Sequence, residues 1–428
     1  MDIRSEVMKM KEAAPFLAAS SSETRNNALR AAADALLAEK EKIFAANAID
    51  LKNAEEAGIS PAIIKRLKFD EHKLHDCISG IEQLITLPDP VGRKTLVREL
   101  DKGLKLVRIT CPIGVIGVIF EARPDALVQI SGLCIKSGNC AVLKGGKETA
   151  NSNKVLFEII HEAVAAAGIP SECFLQAEAH SEIDELLKCH GLVDLLIPRG
   201  SNAFVQYIMD NTKIPVMGHA DGICHTYVDA ECDFEKAIRI IVDAKTQYTA
   251  ACNATETLLV NRAVADEFLP RLAPALQAAG VKMNGTAEVK AIIDQAEKIG
   301  DEDFNREYLD LIIGIKLVDD VYEAVSHINR FGSHHTDCII SENEENVSKF
   351  MQLVDSAGVY ANCSTRFADG FRYGFGAEVG ISTGKIHARG PVGVEGLVTY
   401  KYNLFGNGQI VADYASGKSS FHFVDLEK

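Results

Sequence analysis

The sequence lacks the features that mark nucleic-acid-binding and membrane proteins. Basic side chains are in the minority, with 45 Lys and Arg against 60 Asp and Glu, so the net charge is −15. Nucleic-acid proteins normally present a basic face instead. The most apolar stretch, residues 108–121, is interrupted by Gly and Pro and is too short to span a membrane. Because residues 1–11 carry charges from residue 2 onward, we also expect no secretory signal.

Several compact sequence motifs are missing as well. The eleven cysteines include no CxxC pair, and a chain this long does not need disulfides to be stable. We therefore expect reduced thiols and a cytoplasmic protein. The twelve histidines form no HExxH motif, and neither GxGxxG nor the Walker A pattern occurs.

The sequence does contain an ordinary globular balance, with 47% hydrophobic and 25% charged residues, arranged as alternating strands and helices. Roughly the first hundred residues space their apolar side chains as helices do, and residues 104–120 are rich in Val and Ile, as in strands. Short apolar runs then alternate with amphipathic helices in two series, the second of which begins near Glu256. This alternation predicts parallel sheets covered on both faces, so we expect two α/β domains.

The residues alone leave three kinds of site open. In the first, Cys252 is the nucleophile of a nicotinamide enzyme, because it lies in a loop between a helix and a strand, where sites are often built. In the second, His334 and His335 bind a metal, with His219 or His225 as a further ligand, although adjacent histidines point in different directions.

In the third kind of site, loops bind a nucleotide without catalysis. Lys144 ends an apolar strand and a helix follows it a few residues later. Gly200 and Ser201 end another strand and begin a helix, whose N–H groups suit a phosphate. Glycine at such a junction is also common in simple turns, so these residues do not decide between the three alternatives.

At residues 112–124, PIGVIGVIFEARP, the sequence resembles the gamma-glutamyl phosphate reductases, a branch of the aldehyde dehydrogenase superfamily. Further matching blocks follow in unbroken order as far as residue 391. They are KSGN (136–139), LKGGKE (143–148), IPRG (197–200), GICH (222–225), AKTQ (244–247), CNA (252–254), ETLLV (256–260), YLDL (308–311), HINR (327–330), GSHHT (332–336) and HARGP (387–391).

The resemblance implies an aldehyde dehydrogenase-like α/β fold, with two Rossmann-like parallel-sheet domains and a small β element that joins subunits. Residues 1–98 and 112–226 would form the NADPH-binding domain, and residues 227–394 the catalytic domain. Residues 99–111 and 395–412 would supply the oligomerisation strands of a homo-oligomer. That role would account for isolated strands that have no sheet of their own to join.

The resemblance also implies a reaction, the NADPH-dependent reduction of L-glutamyl 5-phosphate to L-glutamate 5-semialdehyde and phosphate, the second step of proline biosynthesis from glutamate. Cys252 would attack the acyl phosphate, and the resulting thioester would take a hydride. Oxidative relatives use a Glu to activate water, and His219 stands at that position here. A transient contact with glutamate 5-kinase is expected because an acyl phosphate is labile.

Substrate contacts follow from the same comparison. The Asn that serves oxidative relatives as an oxyanion donor has no counterpart here. Arg123, at that place, would bind the acyl phosphate or else form a structural ion pair. Asn253 and Arg389 complete the expected substrate contacts together with His219, and no metal is implied.

The expected cofactor residues are Lys144, Lys147, Gly200, Ser201 and Glu307. NAD-using relatives have a Glu where this chain has Lys147, and a cation at that place favours the 2′-phosphate of NADPH. Glu307 matches the Glu that contacts the nicotinamide ribose.

A cation at position 147 that pairs with the 2′-phosphate predicts the effect of one substitution. Lys147→Glu should weaken the binding of NADPH by a larger factor than that of NADH, because only NADPH carries the 2′-phosphate. Titration of both nucleotides by fluorescence measures the two dissociation constants. An equal loss for both nucleotides would reject this role for Lys147.

Overall fold

The computed structural model describes residues 2–179, 181–218 and 221–427, except for the side chains at 61, 62 and 427. The chain divides into two compact units. The first unit comprises residues 1–217, 375–380 and 392–428, and the second comprises 218–374 and 381–391. The predicted domain boundary at 226/227 would cut a strand of the second unit, so the division falls before that strand. None of the helices in the described part of the chain has the length and apolarity that a membrane crossing requires.

The strands, in chain order, are β1 (Lys94–Asp101), β2 (Leu104–Pro112), β3 (Val115–Phe120), β4 (Cys140–Gly145), β5 (Phe174–Ala177), β6 (Leu195–Arg199), β7 (Cys224–Val228), β8 (Thr255–Asn261), β9 (Lys282–Gly285), β10 (Glu297–Lys298), β11 (Ile312–Val318), β12 (Thr336–Ile340), β13 (Gly358–Ala361), β14 (Ile381–Ser382), β15 (Gly390–Pro391), β16 (Val398–Phe405) and β17 (Val424–Glu427).

The α-helices, in chain order, are α1 (Ile3–Ala19), α2 (Ser22–Ala38), α3 (Lys40–Glu56), α4 (Pro61–Leu67), α5 (Glu71–Thr86), α6 (Pro124–Ser137), α7 (Ala150–Ala166), α8 (Ser181–Leu187), α9 (Asn202–Asn211), α10 (Phe234–Thr246), α11 (Arg262–Ala278), α12 (Ala287–Ile292), α13 (Val321–Phe331), α14 (Glu344–Leu353) and α15 (Val411–Ala415).

The first unit contains a parallel sheet of four strands in the order β5-β4-β3-β6. All six residues of β3 are buried, as expected for a strand covered on both faces. The strand order reverses between β3 and β6, and ligands of such sheets bind at the carboxyl ends of the strands near this point.

A second sheet of the first unit is antiparallel, with the order β16-β2-β1-β17. It contains most of the predicted segment 99–111 but only residues 398–405 of the predicted segment 395–412, and it adds residues 94–98, 112 and 424–427. The edge strand β16 exposes four large apolar or aromatic side chains, each more than half accessible: Tyr400, Tyr402, Leu404 and Phe405.

The second unit is built on a seven-stranded parallel sheet in the order β10-β9-β11-β8-β7-β12-β13. Successive residues of β8 point to opposite faces, so Leu258 and Val260 pack in the core that includes α10 and α11. Leu259 packs in the core with α13 and α14. The predicted α/β fold with two parallel sheets is confirmed.

A buried carboxylate from α3 holds the first turn of α7. Asp50 is 2% exposed and accepts hydrogen bonds from the backbone N–H groups of Asn151 and Ser152 at 3.1 and 2.8 Å. The Asn151 amide and the Ser152 hydroxyl donate to it as well. A carboxylate at this place satisfies amides that have no partner inside the helix.

Removing this carboxylate should destabilise the first unit. We expect Asp50→Ala to lower the free energy of unfolding by roughly 2–4 kcal/mol, because several buried donors lose a charged acceptor. Urea denaturation followed by circular dichroism measures the change. The control is Asp34→Ala on the exposed face of α2, and similar denaturation midpoints for the two variants would contradict the assignment.

Candidate active site

Cys252 lies where three neighbouring parallel strands of the second unit begin. It precedes β8 by three residues, Gly222 precedes β7 by two, and His335 comes directly before β12. The strand order β8-β7-β12 and the common direction of these strands bring their amino ends to one edge of the sheet. Residues far apart in sequence therefore meet at Cys252.

The Cys252 Sγ lies 3.2 Å from the Nε2 of His335. His335 is fully buried, and its Nδ1 lies 2.9 Å from the Thr336 hydroxyl oxygen. When Nδ1–H donates to this oxygen, Nε2 keeps its lone pair towards the thiol. His335 was not predicted to contact the thiol, although it lies in the GSHHT block that carries the family resemblance.

The neighbouring His334 points elsewhere. Its φ is +59°, a left-handed conformation that bends the chain between the two histidines. The His334 Nδ1 lies 2.6 Å from the backbone oxygen of Asp355. His225, the other candidate metal ligand in the described ranges, pairs through Nδ1 with Asp337 at 3.0 Å. His219 lies outside the described residues.

The loop that carries Cys252 is held from several sides. The Cys224 thiol donates to the Cys252 carbonyl oxygen at 3.3 Å, and the Thr365 hydroxyl donates to the backbone carbonyl oxygen of Asn253 at 2.7 Å. A Cβ at Gly222 would lie 2.5 Å from the Cys252 Cα and closer still to its carbonyl oxygen. Only glycine allows this approach, so the position of the thiol is fixed by its backbone.

Asn253 and Arg389, two predicted substrate contacts, have protein partners in the second unit. The Asn253 amide donates to the Ala368 oxygen at 2.8 Å. Arg389 forms an ion pair with Asp355 at 3.2 Å, and Lys385 pairs with the same carboxylate. Their roles towards a substrate stay predictions.

A fully buried ion pair lies beside the loop that carries Glu307. The Lys245 ammonium is 2.7 Å from the Glu256 carboxylate. Burial raises the pKa of Glu256 to about 7, although Lys245 and the backbone N–H groups of Tyr308 and Leu309 oppose the shift. Burial likewise lowers the pKa of Lys245. The carboxylate is thus tied to the two residues that follow Glu307, which fixes the backbone of that loop.

The predicted cofactor residues of the first unit gather at the carboxyl edge of its parallel sheet. Lys144, near the end of β4, is 5% exposed and donates from Nζ to the Gly145 oxygen at 2.6 Å. Burial lowers its pKa. Lys147 is exposed just beyond this strand. Gly200 and Ser201 join β6 to α9, on the other side of β3.

Two carboxylates and a guanidinium of the first unit lie near these residues. The backbone N–H of Ser201 donates to the Glu121 carboxylate, whose pKa is raised by burial. Arg123 pairs with the buried Asp125 at 3.0 Å, as in the alternative prediction of a structural ion pair. Its predicted contact with the acyl phosphate stays a prediction.

Comparison with known proteins identifies the family of this chain. The model of the aldehyde dehydrogenase family matches residues 1–304. A gamma-glutamyl phosphate reductase of Acetivibrio thermocellus is 54% identical over 428 residues, which cover 100% of this chain and 99% of the relative. That of Ruminiclostridium cellulolyticum is also 54% identical, with the same coverage.

A solved structure is similar over nearly the whole chain. The gamma-glutamyl phosphate reductase of Thermotoga maritima has a TM-score of 0.94 and 37% identity, and the match covers 96% of this chain and 100% of that one. The chain therefore belongs to the aldehyde dehydrogenase family and, within it, to the gamma-glutamyl phosphate reductases. The predicted resemblance is confirmed.

The close approach at Gly222 predicts a local effect on the thiol. Gly222→Ala should displace the Cys252 loop, break its contact with His335 and slow alkylation of Cys252 roughly tenfold. Mass spectrometry of the Cys252 peptide after timed iodoacetamide treatment measures the rate. Gly80→Ala, inside α5 with nothing within 4 Å of the added Cβ, should leave the rate unchanged, and equal rates in both variants would refute the prediction.

Proposed function

We propose that this chain reduces L-glutamyl 5-phosphate to L-glutamate 5-semialdehyde and phosphate, with Cys252 as the nucleophile and NADPH as the reductant. The single observation that carries the mechanism is the 3.2 Å contact between the Cys252 Sγ and the His335 Nε2. A thiol becomes a strong nucleophile when a base takes its proton. The family to which the chain belongs supplies the reaction that this nucleophile serves.

In the first step, His335 Nε2 takes the proton of Cys252, and the thiolate attacks the acyl carbon. The new S–C bond forms as the bond from that carbon to the phosphate oxygen breaks. The proton on His335 passes to the departing phosphate, which leaves as the monohydrogen dianion. His335 is then neutral again, and the acyl group stays on Cys252 as a thioester.

In the second step, the thioester carbonyl becomes an aldehyde. Bound NADPH supplies the hydride for this reduction. The oxygen that gains charge is stabilised by the backbone N–H of Cys252 or Asn253, because the Ala254 N–H already donates to the Ala251 oxygen. Release of the aldehyde returns the thiolate, which takes one proton from solvent through His335.

The choice of NADPH rests on cations at the sheet edge of the first unit. Exposed Lys147 would pair with the 2′-phosphate, while Lys144, Gly200 and Ser201 would contact other parts of the nucleotide. Glu307 would contact the nicotinamide ribose. The buried pair of Lys245 and Glu256 would keep the loop of Glu307 in place.

We also propose a homo-oligomer that pairs through the antiparallel sheet, because edge strand β16 presents exposed aromatic side chains that a partner would cover. All eleven cysteines are free thiols, which suits the cytoplasm. Transient contact with glutamate 5-kinase would protect the labile acyl phosphate.

The reverse assay tests the reaction. Reduction of NADP by glutamate 5-semialdehyde should require phosphate. Cys252→Ser should lower the turnover roughly a thousandfold or more, and His335→Gln roughly a hundredfold, while both variants still bind NADPH. Cys232→Ser, at a second half-buried thiol, is the control. Turnover without phosphate that yields glutamate would instead identify a hydrolysing aldehyde dehydrogenase.

A further inference from the structure

Arg366 is a buried guanidinium that lacks the counterion such a group normally has. It is 8% exposed, and in the described ranges no carboxylate lies within 4 Å of it. Arg25, which is 1% exposed, shows the usual arrangement, because both of its contacts with Asp89 are 2.7 Å long. A buried charge without a partner is costly, so Arg366 calls for an anion.

The position of Arg366 is set by the residues around Cys252. Arg366 lies in a short helical turn between Thr365 and Ala368, and both of these residues hydrogen-bond to Asn253, at 2.7 and 2.8 Å. This turn is therefore tied to the residue that follows the nucleophile.

The guanidinium itself is oriented by the segment that precedes the nucleophile. Its Nε donates to the Gln247 side-chain oxygen at 3.0 Å, and its Cζ lies 5.9 Å from the centre of the Tyr248 ring. In the described ranges its two Nη groups form no hydrogen bond. Because Nε is occupied, the Nη groups are the donors left for a ligand.

The charges around Arg366 are consistent with a site for an anion. Burial lowers its pKa, as does the like charge of Arg372, whereas the negative charge of Cys252 opposes the shift, followed by Asp369 and Asp243. A negative charge on Cys252 would therefore act on the guanidinium, which lies in the turn that hydrogen-bonds to Asn253. An anion that reacts at Cys252 would meet the same positive charge.

We infer that Arg366 binds the phosphate group of the acyl phosphate, and inorganic phosphate in the reverse direction, through its free Nη groups. The inference rests on the proposed function, which it deepens by naming the residue that selects a phosphate-bearing substrate. A guanidinium fork matches phosphate oxygens in geometry and charge. The two other candidate arginines are already paired, Arg123 with Asp125 and Arg389 with Asp355.

The first experiment needs neither turnover nor cofactor. Inorganic phosphate should slow the alkylation of Cys252 by iodoacetamide in the wild type. It should do so equally in the control variant Arg271→Gln, which changes an exposed arginine of α11 that pairs with Glu267. In Arg366→Gln, the phosphate concentration for half protection should rise roughly tenfold to a hundredfold, the loss expected for a charge-assisted hydrogen bond. Equal protection in Arg366→Gln and the wild type would overturn the inference.

The second experiment uses the reverse assay. Arg366→Gln should raise the KM for phosphate by a similar factor and change the KM for the aldehyde less than threefold. Arg366→Lys, which keeps the charge but not the fork, should lie between the two. A raised KM for the aldehyde alone would assign Arg366 to the substrate's carboxylate and overturn the inference.

The two experiments also separate the inference from the proposed function. Slower alkylation in Arg366→Gln without any change in phosphate protection would make the Cys252 thiolate its only counterion, which overturns the inference as well. If phosphate protects Cys252 through Arg366 but no phosphate-dependent turnover occurs, the site stands and the proposed reaction fails.

Discussion

The contact between Cys252 and His335 is the constraint on which the rest of the candidate site depends. It exists because β8, β7 and β12 are parallel neighbours that begin at one edge of the sheet. Ligands of open α/β sheets usually bind at the carboxyl edge, and the predicted cofactor residues of the first unit follow that rule. The proposed nucleophile of the second unit, Cys252, does not follow the rule, because it precedes strand β8.

Two buried cations of the second unit, Lys245 and Arg366, differ in the partners that they have. Lys245 pairs with the Glu256 carboxylate, which also accepts a hydrogen bond from the backbone N–H of Leu309, near Glu307. In the part of the chain that the structure describes, the Arg366 guanidinium contacts the Gln247 side-chain oxygen and the Tyr248 ring but no carboxylate. In a chain with a net charge of −15, an anionic substrate is repelled by the overall field. A guanidinium with no carboxylate partner in the described ranges, in a turn bonded to the residue after Cys252, would supply a local attraction that the overall charge does not.

Much of the fold could be predicted from the sequence because local patterns determine it. Apolar runs between amphipathic helices predicted the parallel sheets, and motif blocks identified the family and singled out Cys252 as the candidate nucleophile. The antiparallel sheet was predicted only in part, because its fourth strand, β17, is a short segment near residue 425 whose pairing with β1 is not visible locally.

The other residues of the candidate site could not be predicted from local patterns, because their positions depend on the order of the strands in the sheet. His335 lies 83 residues from Cys252 in sequence, and nothing local indicates that β12 and β8 flank β7. Likewise, the left-handed φ of His334 decides which of two adjacent histidines faces the thiol. Arg366 was only one basic residue among several in a glycine-rich region until its burial was known.

The cysteines also differ in burial, and burial affects how reactive each thiol is as a nucleophile. Seven cysteines are buried, and the half-buried ones are Cys111, Cys232, Cys252 and Cys363. Burial raises the pKa of Cys111 and Cys363, and that of Cys232 to about 11, so these three are weak nucleophiles at neutral pH. Cys252 alone among the four has an imidazole nitrogen at 3.2 Å. A mild electrophilic probe can therefore count the competent molecules in a preparation, with no need to remove the other ten cysteines.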